Sequence, residues 1–148
     1  MVTNSMLTNN KKQSEKFNSN SAKYARLEAI IVSENVQQWP ESWAGSAEDI
    51  FVGQKLLPYL KLFLQRQIER DLAETTIKRH AQYLWALGGE IIREINFCEE
   101  DRHKTVKEIL LKYIHESGGP YWRHATNEAD HQRYDSVCRR LYELVKNA

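Results

Sequence analysis

Four stretches of this sequence set apolar residues three and four places apart, and none alternates apolar with polar one by one. That spacing is the repeat of an α-helix with one buried face, so the chain is constrained to pack helix on helix. The sharpest case is LAETTIKRHAQYLWALGGEIIREI, Leu72 to Ile95. At 100° per residue, Ile77, Ala81, Leu84, Gly88, Ile91, Ile92 and Ile95 share one side, and Arg79, Gln82, Ala86, Gly89 and Arg93 the other. That second face, half basic and half small, permits close approach of a backbone. The double glycine costs about 0.8–1.0 kcal/mol per residue relative to alanine, so packing must demand it or the helix must bend there.

The preceding stretch carries Leu56, Leu57, Leu60, Phe63, Leu64 and Ile68. Pro58 interrupts it, and because proline suits a first turn but not a helix interior, a kink or a fresh start is expected near Leu57. Val106, Ile109, Leu110, Tyr113 and Ile114 predict a third helix over 104–116, stopped by SGGP. The fourth stripe is Tyr134, Val137, Cys138, Leu141, Leu144 and Val145, with Asn127 and Asp130 placed to cap its helix.

Ahead of these, Tyr24, Leu27, Ile30 and Ile31 predict a short helix, and Pro40 and Gly45 break the chain after it. Trp39 and Trp43 flank Pro40, and core packing is the expectation for both. Ser46, followed by Glu48 and Asp49, reads as a capped helix start. Residues 1–22, rich in Asn, Ser, Lys and Thr, have little to bury and are expected to form a disordered tail; 23–148 are expected to form a single helical domain. The expected fold is all-α: a bundle of four main helices preceded by a short helix and that tail. A chain of 148 residues suffices for such a core, burying roughly 68–70% of its unfolded surface without metal or disulfide staples.

No apolar run approaches the length of a membrane span, and the N-terminus has no apolar core of a secretory signal, so a cytoplasmic protein is expected. Cys98 and Cys138 each sit in a helical pattern, which favours reduced thiols over a bridge or a metal pair. Two Glu-x-x-His pairs, Glu100 with His103 and Glu128 with His131, have the spacing of bundle metal ligands but lie at element ends rather than in a core. Cys138 lies inside an apolar stripe, where a thiol is usually inert, and neither Gly-Gly pair has a phosphate-loop spacing. The expectation is a protein that is not an enzyme, with no cofactor, no metal and no membrane partner.

The run LLPYLKLFLQRQIERDLAETTIKRHAQYLWAL resembles the N-terminal core-binding domain of tyrosine recombinases and phage integrases. The likeness rests on the helix, turn, helix order and on LAETTIKRH, where that family commonly shows Leu-Ser-x-x-Thr-Ile-x-x-Tyr; Ala73 and His80 depart from it. It covers about Lys55 to Ile95 in sequence and, by helix count, a region of about 46–146. The resemblance implies a SAM-like four-helix bundle that contacts DNA. The family's cleavage chemistry needs a further domain with a His-x-x-Arg pair, and no histidine here has arginine three places on.

With 21 Lys and Arg against 20 Asp and Glu, the chain as a whole offers no strong attraction to nucleic acid, so a local patch must supply it. Between Lys55 and His80 six basic residues face three acidic ones. The first expectation is therefore a non-catalytic DNA-binding module, an accessory protein of a mobile element, in which Lys78, Arg79, Arg93, Arg139 and Arg140 contact phosphates of double-stranded DNA and Gln82 reaches a base edge. The alternative is a helical interaction or oligomerisation module using the Ala86 and Gly89 face, or Trp39, Trp43 and Trp122, to hold a protein partner. Tyr121 and Trp122, after SGGP, are expected to anchor that turn onto the core.

Overall fold

The computed structural model describes residues 19–148. Among them every regular element is a helix and no strand forms; the nearest thing to one is a single bridge between His115 and Gly118. Helix α1 covers residues 19–33. A 3₁₀ turn, Val36–Gln38, leads into the short α2, Trp39–Trp43. The long pair α3, Ala47–Glu69, and α4, Glu74–Ile95, follows, then a second 3₁₀ turn, Glu99–His103, and finally α5, Val106–Tyr113, and α6, Glu128–Lys146. This is the all-α bundle that the four stripes demand. No helix among the described residues is long and apolar enough to cross a membrane.

Each stripe buries where its spacing places it. Leu56, Leu60 and Leu64 of α3, Ile77, Leu84 and Ile91 of α4, Ile109 and Leu110 of α5, and Tyr134 and Leu141 of α6 form one cluster that excludes water almost completely. α3 and α4 form the middle of the assembly: α3 packs against α2, α4, α5 and α6, and α4 against α2, α3 and α6. The turn that reverses the chain between α3 and α4 closes on Asp71, which takes the left-handed conformation (φ 59°) usually left to glycine at a helix end. Its N–H donates to the Ile68 carbonyl at 2.9 Å, and Arg26 of α1 reaches the same turn through the Leu72 carbonyl at 3.3 Å.

Several local expectations change. Residues 19–22, assigned to the tail from composition, are helical, while 1–18 of that tail lie outside the described residues. Pro58 neither ends nor restarts α3, which runs unbroken past it. The ring faces solvent, as does Gln54, whose carbonyl loses its partner, so water can satisfy the freed group. Ser46 does occupy the cap position of α3, yet its hydroxyl makes no capping bond; Asp49 reaches back and accepts from the Gly45 N–H at 2.9 Å instead. The third helix is shorter than 104–116, because Ile114 turns extended to bury its side chain and the chain closes between His115 and Gly118. Asn127 caps α6 as its sequence indicates, accepting from Asp130 N–H at 2.8 Å.

The double glycine finds its reason in α2. The Trp43 indole lies across α4 at Gly88 and Gly89, and a Cβ at Gly88 would overlap its six-membered ring. At Gly89 an added Cβ would sit at ordinary contact distance, 3.4 Å from Trp43. The small face of α4 is thus partly occupied by the chain's own tryptophan, which donates its Nε1–H to the Trp85 carbonyl at 2.9 Å. Gly88→Ala should destabilise by about 1–3 kcal/mol through overpacking. Gly89→Ala should be neutral or stabilising by up to about 1 kcal/mol through helix propensity. Urea unfolding of the two variants measures the difference, and equal effects would show that the indole does not sit where it is placed here.

Candidate nucleic-acid interface

The basic residues of the polar face of α4 do not form one surface. Arg79 and Gln82 are exposed near its N-terminal half, but Ser42, Trp43 and Trp85 stand over the middle of the stripe, and Arg93 is half-buried beyond them. Fourteen residues separate the two arginines, about 21 Å along a helix axis.

At the N-terminal half, two helices contribute. Arg79 of α4 and Arg140 of α6 both act on His80, and together with burial, the largest effect, they hold its imidazole below the ordinary histidine pKa. The His80 ring packs near Phe63 and bonds Gln67 through Nδ1, so it is fixed between α3 and α4 while the two guanidiniums stay in solvent. Neither Arg79 nor Arg140 makes an ion pair among the described residues. One further turn along the same seam, Arg133 of α6 stands beside the Tyr83 hydroxyl, which donates to Asp130 at 2.9 Å. Arg133, Ser136 and Arg140 follow one another at three and four residues and so share a stripe of α6. Arg133 was not among the sequence candidates; its signal, a place on Arg140's stripe, becomes readable only once α6 is set against α4.

Of the remaining candidates Lys78 and Gln82 flank Arg79 on α4, and Arg139 and Arg93 lie apart. Lys78 is tied to Glu74 one turn earlier at 3.5 Å. Arg139, next in sequence to Arg140 but 100° around the helix, leans on the Ser117 carbonyl at 3.5 Å in the turn after α5. Gln82 borders a hollow with Glu34, Gln38 and Trp85.

Arg93 belongs to a different feature, a cavity of about 700 Å³ between α2, α4 and the segment before α6. Ala86 and Gly89 floor it, Trp43 and Trp85 border it from the α2 side, and Trp122 borders it from the other, held edge-on to Tyr83 at 5.8 Å between ring centres. Tyr121 beside it is exposed, so of the two aromatics after SGGP only Trp122 anchors the turn. Glu90 opens into the cavity with only 8% of its side chain exposed, and its nearest basic atom is Arg123 Nε at 4.0 Å. Burial raises the Glu90 carboxyl pKa, while Arg93 and His124 oppose that rise. Arg93 in turn has one guanidinium nitrogen, Nη1, buried and without a hydrogen-bond partner.

The cysteines are both free. Cys138 is buried and burial pushes its thiol pKa upward, away from nucleophilic use, whereas Cys98 donates to Glu100 at 3.3 Å. Comparison with protein-family models, with curated proteins and with solved structures gave no match to this chain. The arrangement of side chains therefore carries the functional argument alone.

Proposed function

We propose that this protein is a non-catalytic DNA-binding module, akin to an integrase core-binding domain, that holds double-stranded DNA along the α4–α6 seam. The observation that carries the reading is that Arg79 and Arg140, from helices far apart in sequence, are both exposed without an ion pair among the described residues and both lie within electrostatic reach of His80. Arg133 extends the same seam. Guanidiniums that stay in solvent without carboxylate partners suit phosphate oxygens, which they can bond bidentately. Lys78 adds charge at the edge of this surface, and Gln82, exposed one turn from Arg79, is the side chain suited to read a base edge. Arg93 and Arg139 stand outside it. The large apolar residues left exposed, among them Val32, Phe51, Phe97 and Tyr121, are spread over α1, α3 and separate loops, which gives the protein-partner reading a weaker carrier.

A titration against duplex DNA at several salt concentrations tests this reading. Arg79→Ala combined with Arg140→Ala should make the slope of log affinity against log salt shallower by about 0.9 for each lost contact, about 1.8 together. Arg139→Ala and Arg93→Ala should leave the slope unchanged. Gln82→Ala should relax preference between sequences without changing the slope, because an amide releases no counterion. Absence of salt-dependent duplex affinity in the wild type would sink the reading, and sedimentation of the wild type would then test self-association, the competing role.

A further inference from the structure

His80 sits where the exposed guanidiniums of the α4–α6 seam meet the interior. It directly follows Arg79 on α4, is half-buried, and stands 6.5 Å from the Phe63 ring of α3 between ring centres. Its Nδ1 bonds the Gln67 side-chain oxygen at 2.5 Å, and Gln67 is itself buried. An amide oxygen only accepts, so Nδ1 carries a proton whether the imidazole is neutral or charged, and the proton gained or lost is the one on Nε2. The ring can therefore change charge without leaving its bond or its place in the packing.

The charges that act on this ring are of one sign. Arg140 of α6 and Arg79 on its own helix both reach it, and neither makes an ion pair among the described residues. α3 sets the uncharged Phe63 and Gln67 against it. Carboxylates of the same region are engaged elsewhere: Glu74 of α4 by Lys78 at 3.5 Å, and Asp130 of α6 by the Tyr83 hydroxyl at 2.9 Å. Burial first, then Arg140 and Arg79, hold the imidazole below the ordinary histidine pKa, so it is neutral at pH 7. Phosphates paired with these arginines would cancel the two repulsive charges and favour the protonated ring.

We propose that His80 makes duplex binding proton-coupled: its imidazole is neutral in the free protein and takes a proton from solvent onto Nε2 as phosphates settle on Arg79 and Arg140, so that affinity rises as pH falls. This coupling rests on the duplex reading of the seam. Its sign follows from linkage. A group that holds its proton more tightly in the complex than in the free protein takes one up on association between its two pKa values, strengthens binding as pH falls through that window, and has no influence above both. Phosphodiesters stay anionic throughout the window, so the titrating group belongs to the protein.

Duplex affinity of the full chain, measured at constant ionic strength, should rise about tenfold from about pH 8 to about pH 5.5. His80→Gln, whose amide can keep the bond to Gln67 but cannot titrate, should flatten that dependence, whereas His124→Gln, at the exposed histidine of the cavity beside Trp43, should retain it. The histidine Cε1–H signals of the wild type, followed by NMR against pH with and without duplex, read the proton independently of any variant's fold: the His80 midpoint should move upward on binding. In the free Arg79→Ala, Arg140→Ala double variant that midpoint should already be raised, because the repulsive charges are gone. Salt-dependent affinity that does not change with pH, a folded His80→Gln variant that keeps the full pH dependence, or a His80 midpoint unmoved by duplex overturns the proposal and leaves the duplex reading standing. Absence of salt-dependent duplex affinity at every pH overturns both.

Discussion

Leu84→Ala is expected to lower the free energy of unfolding by about 2–5 kcal/mol. Leu84 is wholly buried on α4, on the face that Ile77, Ala81, Gly88 and Ile91 share, and α4 is the helix against which α2, α3 and α6 all pack. Truncation removes apolar surface from the point where the chain is least able to collapse inward, because neighbours on several sides are fixed by their own contacts. Phe97→Ala is the matched control: the ring just beyond α4 is 80% exposed, and a surface change of that kind should fall within about ±0.5 kcal/mol. Chemical denaturation followed by far-ultraviolet circular dichroism reads both, and a Leu84 variant as stable as the Phe97 variant would mean that the apolar face of α4 is assigned to the wrong side.

Asp101→Asn is expected to cost about 3 kcal/mol at neutral pH, near the low end for breaking a buried ion pair. Asp101, in the 3₁₀ turn between α4 and α5, is fully buried, forms an ion pair with Lys104 at 2.8 Å and accepts from Lys112 and the Tyr113 hydroxyl at 2.5 Å each. The two lysines are about 40% exposed and can return to water, which keeps the loss from being larger. Bonds from Lys104, then Lys112 and Tyr113, outweigh burial and hold the Asp101 carboxyl well below the usual carboxylate range. A carboxyl whose pKa is lower in the folded than in the unfolded state stabilises fully above the unfolded value, near 4, and loses that contribution as pH falls toward the folded value. The gap between wild type and Asp101→Asn should therefore be largest near pH 7 and narrow progressively below about pH 4. Urea midpoints at pH 7 and in the acid range decide it; a gap that does not change with pH would show that the charge of Asp101 is not what holds the turn.

This turn also shows where sequence reasoning stopped. CEEDRHK reads as a solvated, charged element end, and Glu99 and Glu100 are indeed exposed. Asp101 is nevertheless buried, and Arg102, with 11% of its side chain exposed, pairs with Asp49 at 3.2 Å and Glu48 at 3.1 Å at the start of α3. Neighbouring residues of one charged run were sorted to solvent and interior by the arrival of α3 and α5, elements 54 and 11 residues away in sequence for the pairs concerned. No local pattern carries that information.

The sequence by itself determined the class of fold and the inward face of each long helix, because a helical repeat of apolar residues can be buried only against other such repeats. It also located the Asn127 cap, which depends on a bond within a few residues. The tertiary structure alone decided which polar residues meet. It brought Arg140 of α6 within electrostatic reach of His80 and set Arg133 beside Tyr83, and it turned Arg139, one residue earlier than Arg140, toward a different loop. It laid Trp43 across Gly88, dividing the polar stripe of α4 into a seam at Arg79 and a cavity at Glu90 and Arg93. The physical reason is one of range: a helix and its buried face follow from contacts three and four residues apart, whereas a surface site is a meeting of helices whose register is fixed by core packing that their exposed residues do not encode.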